Sequence, residues 1–143
     1  MRALLDVNVL IALLDGAHVH HAAAQAWMAR AGKTGWASCP LTQNGCIRIM
    51  TQPSYPSAPF LMQDVVSRLA EAARSNHEFW PDDINTLETS QFQWPHILGH
   101  RQLTDVYLLG LAVKHEGRFV TFDRRLSLRS VKDAAPAHYQ TIQ

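Results

Sequence analysis

Three apolar runs in this chain meet an aspartate at one end, and that arrangement restricts the fold more than any other feature. Ala3-Leu4-Leu5 runs into Asp6, and Phe119-Val120-Thr121-Phe122 runs into Asp123. Asp105 opens a longer stretch, Val106-Tyr107-Leu108-Leu109. Short continuous apolar runs are what strands buried on both faces look like in a parallel sheet. An acid at the end of such an element adds nothing to packing. Acids set this far apart in sequence can still meet along one sheet edge.

The rest of the chain supports that frame. Ala3 to Leu5 reads as a central strand, and Val7 to Leu14 as a first helix broken by Asp15-Gly16. His20 to Ala31 is a second helix, with Gly32 placed as a C-terminal glycine cap. Trp36-Ala37-Ser38 is a short strand, and Pro40 suits the first position of a third helix reaching about Met50. The stretch 52–59, with three prolines, is a loop. Leu61, Val65, Val66, Leu69 and Ala73 recur at helical spacing. His77 to Trp80 is a strand stopped by Pro81, and Asp83 to Phe92 a short helix with its flanks. Leu103 to His115 forms a helix with Val106, Leu109, Gly110 and Val113 on one face and Gly117 just past its end. Arg118 to Phe122 and Tyr139 to Ile142 are the last strands. Alternating strands and helices predict an α/β sandwich, a mostly parallel central sheet flanked by helices, in one domain spanning 1–143.

Bulk properties exclude more than they identify. A chain of 143 residues with 47% apolar content suits one core and is short for two. A net charge of +1 is not that of a protein that coats nucleic acid, so any such contact must come from a local patch. Cys39 and Cys46 lack the pattern of a disulfide framework or a zinc motif and read as buried thiols in a reducing cytosol. The apolar N-terminus superficially resembles a secretory signal, but Asp6 and Asn8 interrupt it. No apolar run reaches the roughly 18 residues needed to span a membrane.

In a parallel sheet, ligands bind beyond the carboxyl ends of the strands. Asp6 and Asp123 follow apolar runs directly and belong on that edge. Asp105, in a first helical turn, is favoured there by the helix dipole and starts from the same edge. Converging carboxylates repel, and one is pushed toward its protonated form unless a cation intervenes. Mg²⁺ or Mn²⁺ suits carboxylate and water oxygens and activates water beside a phosphate, which points to metal-dependent phosphodiester hydrolysis. Taken singly, each acid also fits a structural task, capping a helix or serving its dipole.

Three segments, in order, carry a resemblance. Leu5-Asp6-Val7-Asn8-Val9-Leu10, Leu103-Thr104-Asp105-Val106-Tyr107-Leu108 and Val120-Thr121-Phe122-Asp123-Arg124-Arg125 resemble the acid motifs of PIN-domain ribonucleases, and among them the VapC toxins of bacterial toxin–antitoxin pairs. The resemblance implies a Mg²⁺- or Mn²⁺-dependent endoribonuclease with Asp6, Asp105 and Asp123 on the metal, supported by Asn8. It also implies an RNA substrate, a small antitoxin partner, a homodimer and a cytoplasmic setting. The family's second acid is usually Glu, and Gln43, in Pro40-Leu41-Thr42-Gln43-Asn44-Gly45-Cys46, is expected to stand in its place. Gln keeps the shape and loses the charge. This leaves open an inactivated form, a naturally weak relative, or a site in which three aspartates suffice. The alternative is a catalytically inactive PIN module that binds RNA or an antitoxin. A receiver-type or dehalogenase-type phosphoacceptor fits less well, because the second acid of an Asp-x-Asp opening is replaced by Asn8 and no acidic pair accompanies Asp6.

Thr104, just before an apolar helix, is expected to cap it. Arg48, His100, Arg101, Arg124, Arg125 and Arg129 are candidates for contact with RNA phosphates, Arg124 and Arg125 most directly because they follow Asp123. His18, His20 and His21 cluster before a helix and read as surface histidines. Trp27, Trp36, Trp80 and Trp94 could stack bases, but core packing is the better default. Asp82 and Asp83 are expected to cap the short helix that follows them.

Overall fold

The structure, a computed structural model, describes residues 1–57 and 59–143. Its centre is a five-stranded sheet in the order β3-β2-β1-β4-β5, with every neighbouring pair parallel. The strands are β1 (Ala3–Leu5), β2 (Trp36–Ser38), β3 (His77–Phe79), β4 (Arg118–Thr121) and β5 (Tyr139–Thr141). The helices are α1 (Val7–Leu14), α2 (His21–Ala31), α3 (Pro40–Met50), α4 (Met62–Ala72) and α5 (Leu103–Lys114). The α/β sandwich is therefore observed, and the expected mostly parallel sheet is parallel throughout.

Side-chain alternation along the strands separates two cores. Ala3, Leu5 and Val120 point into one, with Val9, Leu10, Trp27, Cys46, Met50, Val65 and Leu69 from α1 to α4. Leu4 and Phe119 point into the other, with Val106, Leu108, Leu109 and Leu111 from α5 and the buried Trp80 and Phe92. Because both sheet faces are covered, β1 is buried at every position, which is why it appears in sequence as an unbroken apolar run. Each fully buried Leu or Phe contributes about 2 kcal/mol through removal from water. Trp27, Trp36 and Trp80 are buried, and Trp94 is half-buried and stacked on Phe92, so packing occupies all four indoles. Cys39 and Cys46 are buried free thiols, and burial pushes them up to about 11 and about 12.

Several expectations need correction. The stretch 83–92 contains turns rather than a helix. Asn85 accepts the Leu87 backbone N–H in a side-chain turn, and Phe92 leaves to bridge Val131. Asp82 caps a different helix, its carboxylate accepting from Leu41 N in the first turn of α3. Asp83 pairs instead with Lys114 and His115 at the far end of α5. Gly32 is not a left-handed cap: its φ is −62° and the chain continues into a 3-10 turn, Gly32–Thr34, leaving Gly35 to take the positive φ of 89°. Thr104 does not cap α5, whose N-terminus has no side-chain cap. The loop expected over 52–59 is free of regular structure at its described residues, and Ala58 lies outside them. Gly117 matters for space, since a Cβ there would meet Arg2 O at 2.6 Å and Trp80 at 2.7 Å, where α5 turns into β4.

Candidate active site

The site grows from the central strand. β1 is flanked by β2 on one side and β4 on the other, so the connections reverse direction beside it, where open α/β sheets bind ligands. Leu5 is in register with Val120, and Asp6 N continues the ladder by donating to Val120 O at 2.9 Å. Asp6 is then the N-cap of α1: one carboxylate oxygen accepts from Val7 N at 2.7 Å. The other accepts from the buried Thr121 hydroxyl, also at 2.7 Å. Asp6 is 5% exposed. Burial raises its carboxyl above the ordinary range, the Thr121 and Val7 donors pull it back, and the Asp123 charge raises it further.

Asp105 enters from the other face of the sheet, in the first turn of α5. Burial, then the charges of Asp6 and Asp123, push it from 3.8 to about 7, with Arg125 acting in the opposite sense. Asp123 follows the end of β4, its backbone N–H donating to Thr121 Oγ1. Both its carboxylate oxygens are held by the Arg125 guanidinium, at 3.1 and 3.0 Å, and this contact keeps it below the ordinary range. Thr121 thus links the two strand-end acids. The topology brings Asp6, Asp105 and Asp123 into one electrostatically coupled group. Among the described residues, however, no three His, Cys, Asp or Glu side chains form a group ready to hold one ion. The donor chemistry fits a hard cation, while Asp123 is committed to Arg125.

A cleft of about 640 Å³ opens beside Asp6, lined by Asn8, Leu41, Asn44, Gly45, Arg48 and Thr104 among others. Asn8, Arg48 and Thr104 therefore share the acid edge. Gln43 does not. Its amide donates to Ser38 Oγ at 2.9 Å, and it lines a separate hollow with Trp36, Ile47, Val66 and Leu69. The polar side chains of α3 that line the cleft beside Asp6 are Asn44 and Arg48. Helical rotation explains the difference: Leu41, Asn44, Gly45 and Arg48 are spaced i, i+3, i+4 and i+7 along one face, and Gln43 and Ile47 share another. Gly45 lets this face approach α1, since a Cβ there would meet Val7 at 2.9 Å. Asn44 and Thr121 are the site residues that sequence reading missed. Choosing Arg48 as a phosphate candidate already implied Asn44 by the i, i+4 relation. Thr121 gave no such signal, because its role depends on strand register.

Among the other cations, Arg125 holds Asp123, and Arg124 is exposed and donates to Gln143 at 2.6 Å. Arg101 and His100 stand exposed in the turn His100–Gln102 that leads into α5. Arg129 is exposed on the turn Leu128–Ser130 and is not among the cleft's lining residues. The histidines before α2 differ from one another: His21 is tied to Ala12 O at 2.7 Å, His18 accepts from His20 N, and His20 is exposed.

A switch-point sheet edge carrying acids from β1, α5 and β4 defines a PIN-type site, and the PIN domain family model matches residues 3–132. The chain belongs to that family, as a VapC-type member. It is 46% identical over 143 residues to Ribonuclease VapC44 of Mycobacterium tuberculosis, covering 99% of this chain and 100% of that one. It is 41% identical over 128 residues to Ribonuclease VapC39 of the same organism, covering 89% and 92%. Among solved structures it is similar to VapBC2 from Rickettsia felis bound to a promoter DNA fragment, with a TM-score of 0.63 at 12% identity and full coverage of both chains. It is also similar to Mycobacterium tuberculosis VapC20, a sarcin–ricin loop cleaving toxin, with a TM-score of 0.58 at 10% identity and 81% and 85% coverage. At such low identity the structural likeness establishes the fold alone.

Proposed function

We propose that this chain is a Mg²⁺- or Mn²⁺-dependent endoribonuclease toxin that hydrolyses RNA phosphodiester bonds and is restrained by a small antitoxin. One observation carries the reading: three aspartates from separate elements meet at a single sheet edge, where burial first and then the charges of Asp6 and Asp123 raise Asp105 to about 7. The names of the relatives, ribonucleases across the full length of this chain, support the substrate class. Asp6, Asp105 and Asp123 would hold the cation directly or through water. When bound, such a cation offsets carboxylate repulsion and phosphate charge and lowers the pKa of a water.

The chain's own residues do the positioning. Thr121 and Val7 N fix both oxygens of Asp6, so its orientation is set before any substrate arrives. Without a cation Asp105 stands near 7, so binding one would release its proton. Arg48 lines the cleft where a phosphate could be met by a bidentate fork. Asn44, which lines the cleft beside Asp6, would offer a cation a carbonyl oxygen there and no charge.

The solved VapBC2 complex supports an antitoxin partner, and the resemblance extends the proposal to a homodimer. Buried, unpaired thiols suit a cytoplasmic setting. No helix among the described residues is long and apolar enough to cross a membrane. The test is cleavage of a mixed pool of unpaired RNAs by the purified chain in Mn²⁺, in EDTA, and by its Asp6→Asn variant. Cleavage confined to the unaltered chain in Mn²⁺ supports the enzyme. Binding of RNA without cleavage in any metal favours the inactive module.

A further inference from the structure

Just past the end of β4 stands a pair of rings. His20 is stacked on Phe122, with centroids 4.6 Å apart and planes 27° from parallel. Phe122 sits between Thr121, which orients Asp6, and Asp123. The ring pair is therefore anchored on the residue joining two parts of the acid group.

The turn carrying His20 is built rather than loose. Asp15 accepts from Ala17 N through its side chain and from His18 N through its carbonyl. His18 Nδ1 accepts from His20 N at 3.0 Å, and His21 N donates to His18 O. His21 Nδ1 is bound to Ala12 O at the end of α1. Two of the three histidines are thus used as scaffold. His20 is exposed, and among the described residues its ring nitrogens have no hydrogen-bond partner. Its ring is held by stacking on Phe122, with His18 tilted beside it at 5.7 Å.

An exposed ring held flat on the residue that precedes Asp123 can accept a nucleobase, since every base has a π-face. We propose that His20, backed by Phe122, is a stacking platform for an unpaired base next to the scissile phosphate. This rests on the ribonuclease reading above and adds a base-contacting residue to it. Such a platform favours single-stranded RNA over a duplex, whose bases are already stacked. His20 acts on the substrate and takes no part in bond breaking.

The test is a cycle between protein and RNA. An oligonucleotide that the unaltered chain cleaves at one site in Mn²⁺ is prepared intact and with a single abasic residue at each position flanking that site. Binding is measured by fluorescence anisotropy in EDTA, where no cleavage occurs. His20→Ala is expected to bind the intact RNA about 5- to 30-fold more weakly. It should show no further loss on the RNA that lacks the stacked base, and His20→Phe should restore affinity for the intact one. A His20→Ala loss of equal size on every abasic RNA would mean that the turn serves structure alone and would overturn the platform. Unchanged binding by His20→Ala, with cleavage intact in the unaltered chain, would overturn it while leaving the ribonuclease in place. If the unaltered chain neither cleaves nor binds any RNA of the pool, both readings fall together.

Discussion

Replacing Asp105 with Asn removes a charge that burial, Asp6 and Asp123 all oppose, and keeps the side chain's shape. In the folded protein the Asp105 carboxyl is raised from 3.8 to about 7. Between those values the folded chain holds a proton that the unfolded chain has given up, so stability falls as pH rises through this window. At about 1.4 kcal/mol per pH unit the full loss is about 4 kcal/mol. Asp105 is only partly buried, and solvent screening brings the expected figure to about 2 kcal/mol. Asp105→Asn should therefore be more stable than the unaltered chain at pH 8 in EDTA, by about 6 °C in Tm, and nearly equal to it at pH 4. Thermal unfolding followed by circular dichroism at the two pH values measures this. Mn²⁺ in excess should reverse the order at pH 8, since a ligand at 100 times its Kd adds about 2.7 kcal/mol and the variant lacks one of the proposed ligands. An increment that is the same at both pH values, or a less stable variant at pH 8, would refute the argument that burial and the neighbouring acids raise Asp105.

Three further outcomes follow from neighbouring contacts. Asn44→Glu should raise Mn²⁺ affinity by about tenfold or more, whereas Gln43→Glu should not and should cost about 1 kcal/mol by removing the donor to the buried Ser38 hydroxyl; calorimetric Mn²⁺ titration and thermal unfolding separate the two. Thr121→Val takes one donor from Asp6, so its carboxyl rises further, the midpoint of Mn²⁺ binding moves to higher pH, and stability at pH 8 falls by about 2 kcal/mol. Arg125→Ala frees both Asp123 oxygens from an exposed ion pair, and Mn²⁺ affinity measured without RNA should rise by up to about fivefold.

What could be read from the sequence follows from how local each signal is. β1 and β4 were legible because burial on both faces leaves an unbroken apolar run, and α3 because Pro40 marks its first turn. The convergence of Asp6, Asp105 and Asp123 was legible from topology, since strand ends and the start of a crossover helix share an edge. The side-chain bonds that refine it were not. The Thr121 contact with Asp6 joins residues 115 apart and depends on the Leu5–Val120 register. The Asp123–Arg125 pair depends on how the chain turns after β4. On α3 the choice between Gln43 and Asn44 is a matter of about 100° of helical rotation, set by Gly45 packing on Val7. The segment 83–92 misled because its polar residues suit a helix start and a side-chain turn equally well, and only the bridge of Phe92 to Val131 decides between them.

The most direct test of the central claim is a Mn²⁺ titration of the metal-free chain and its Asp6→Asn, Asp105→Asn and Asp123→Asn variants, followed by calorimetry at pH 7.5. The account predicts saturable binding by the unaltered chain, weakened at least tenfold by each substitution, with proton release in the unaltered chain that disappears in Asp105→Asn. Binding of equal strength in all four proteins would show that the metal sits elsewhere and that these aspartates do not form its site.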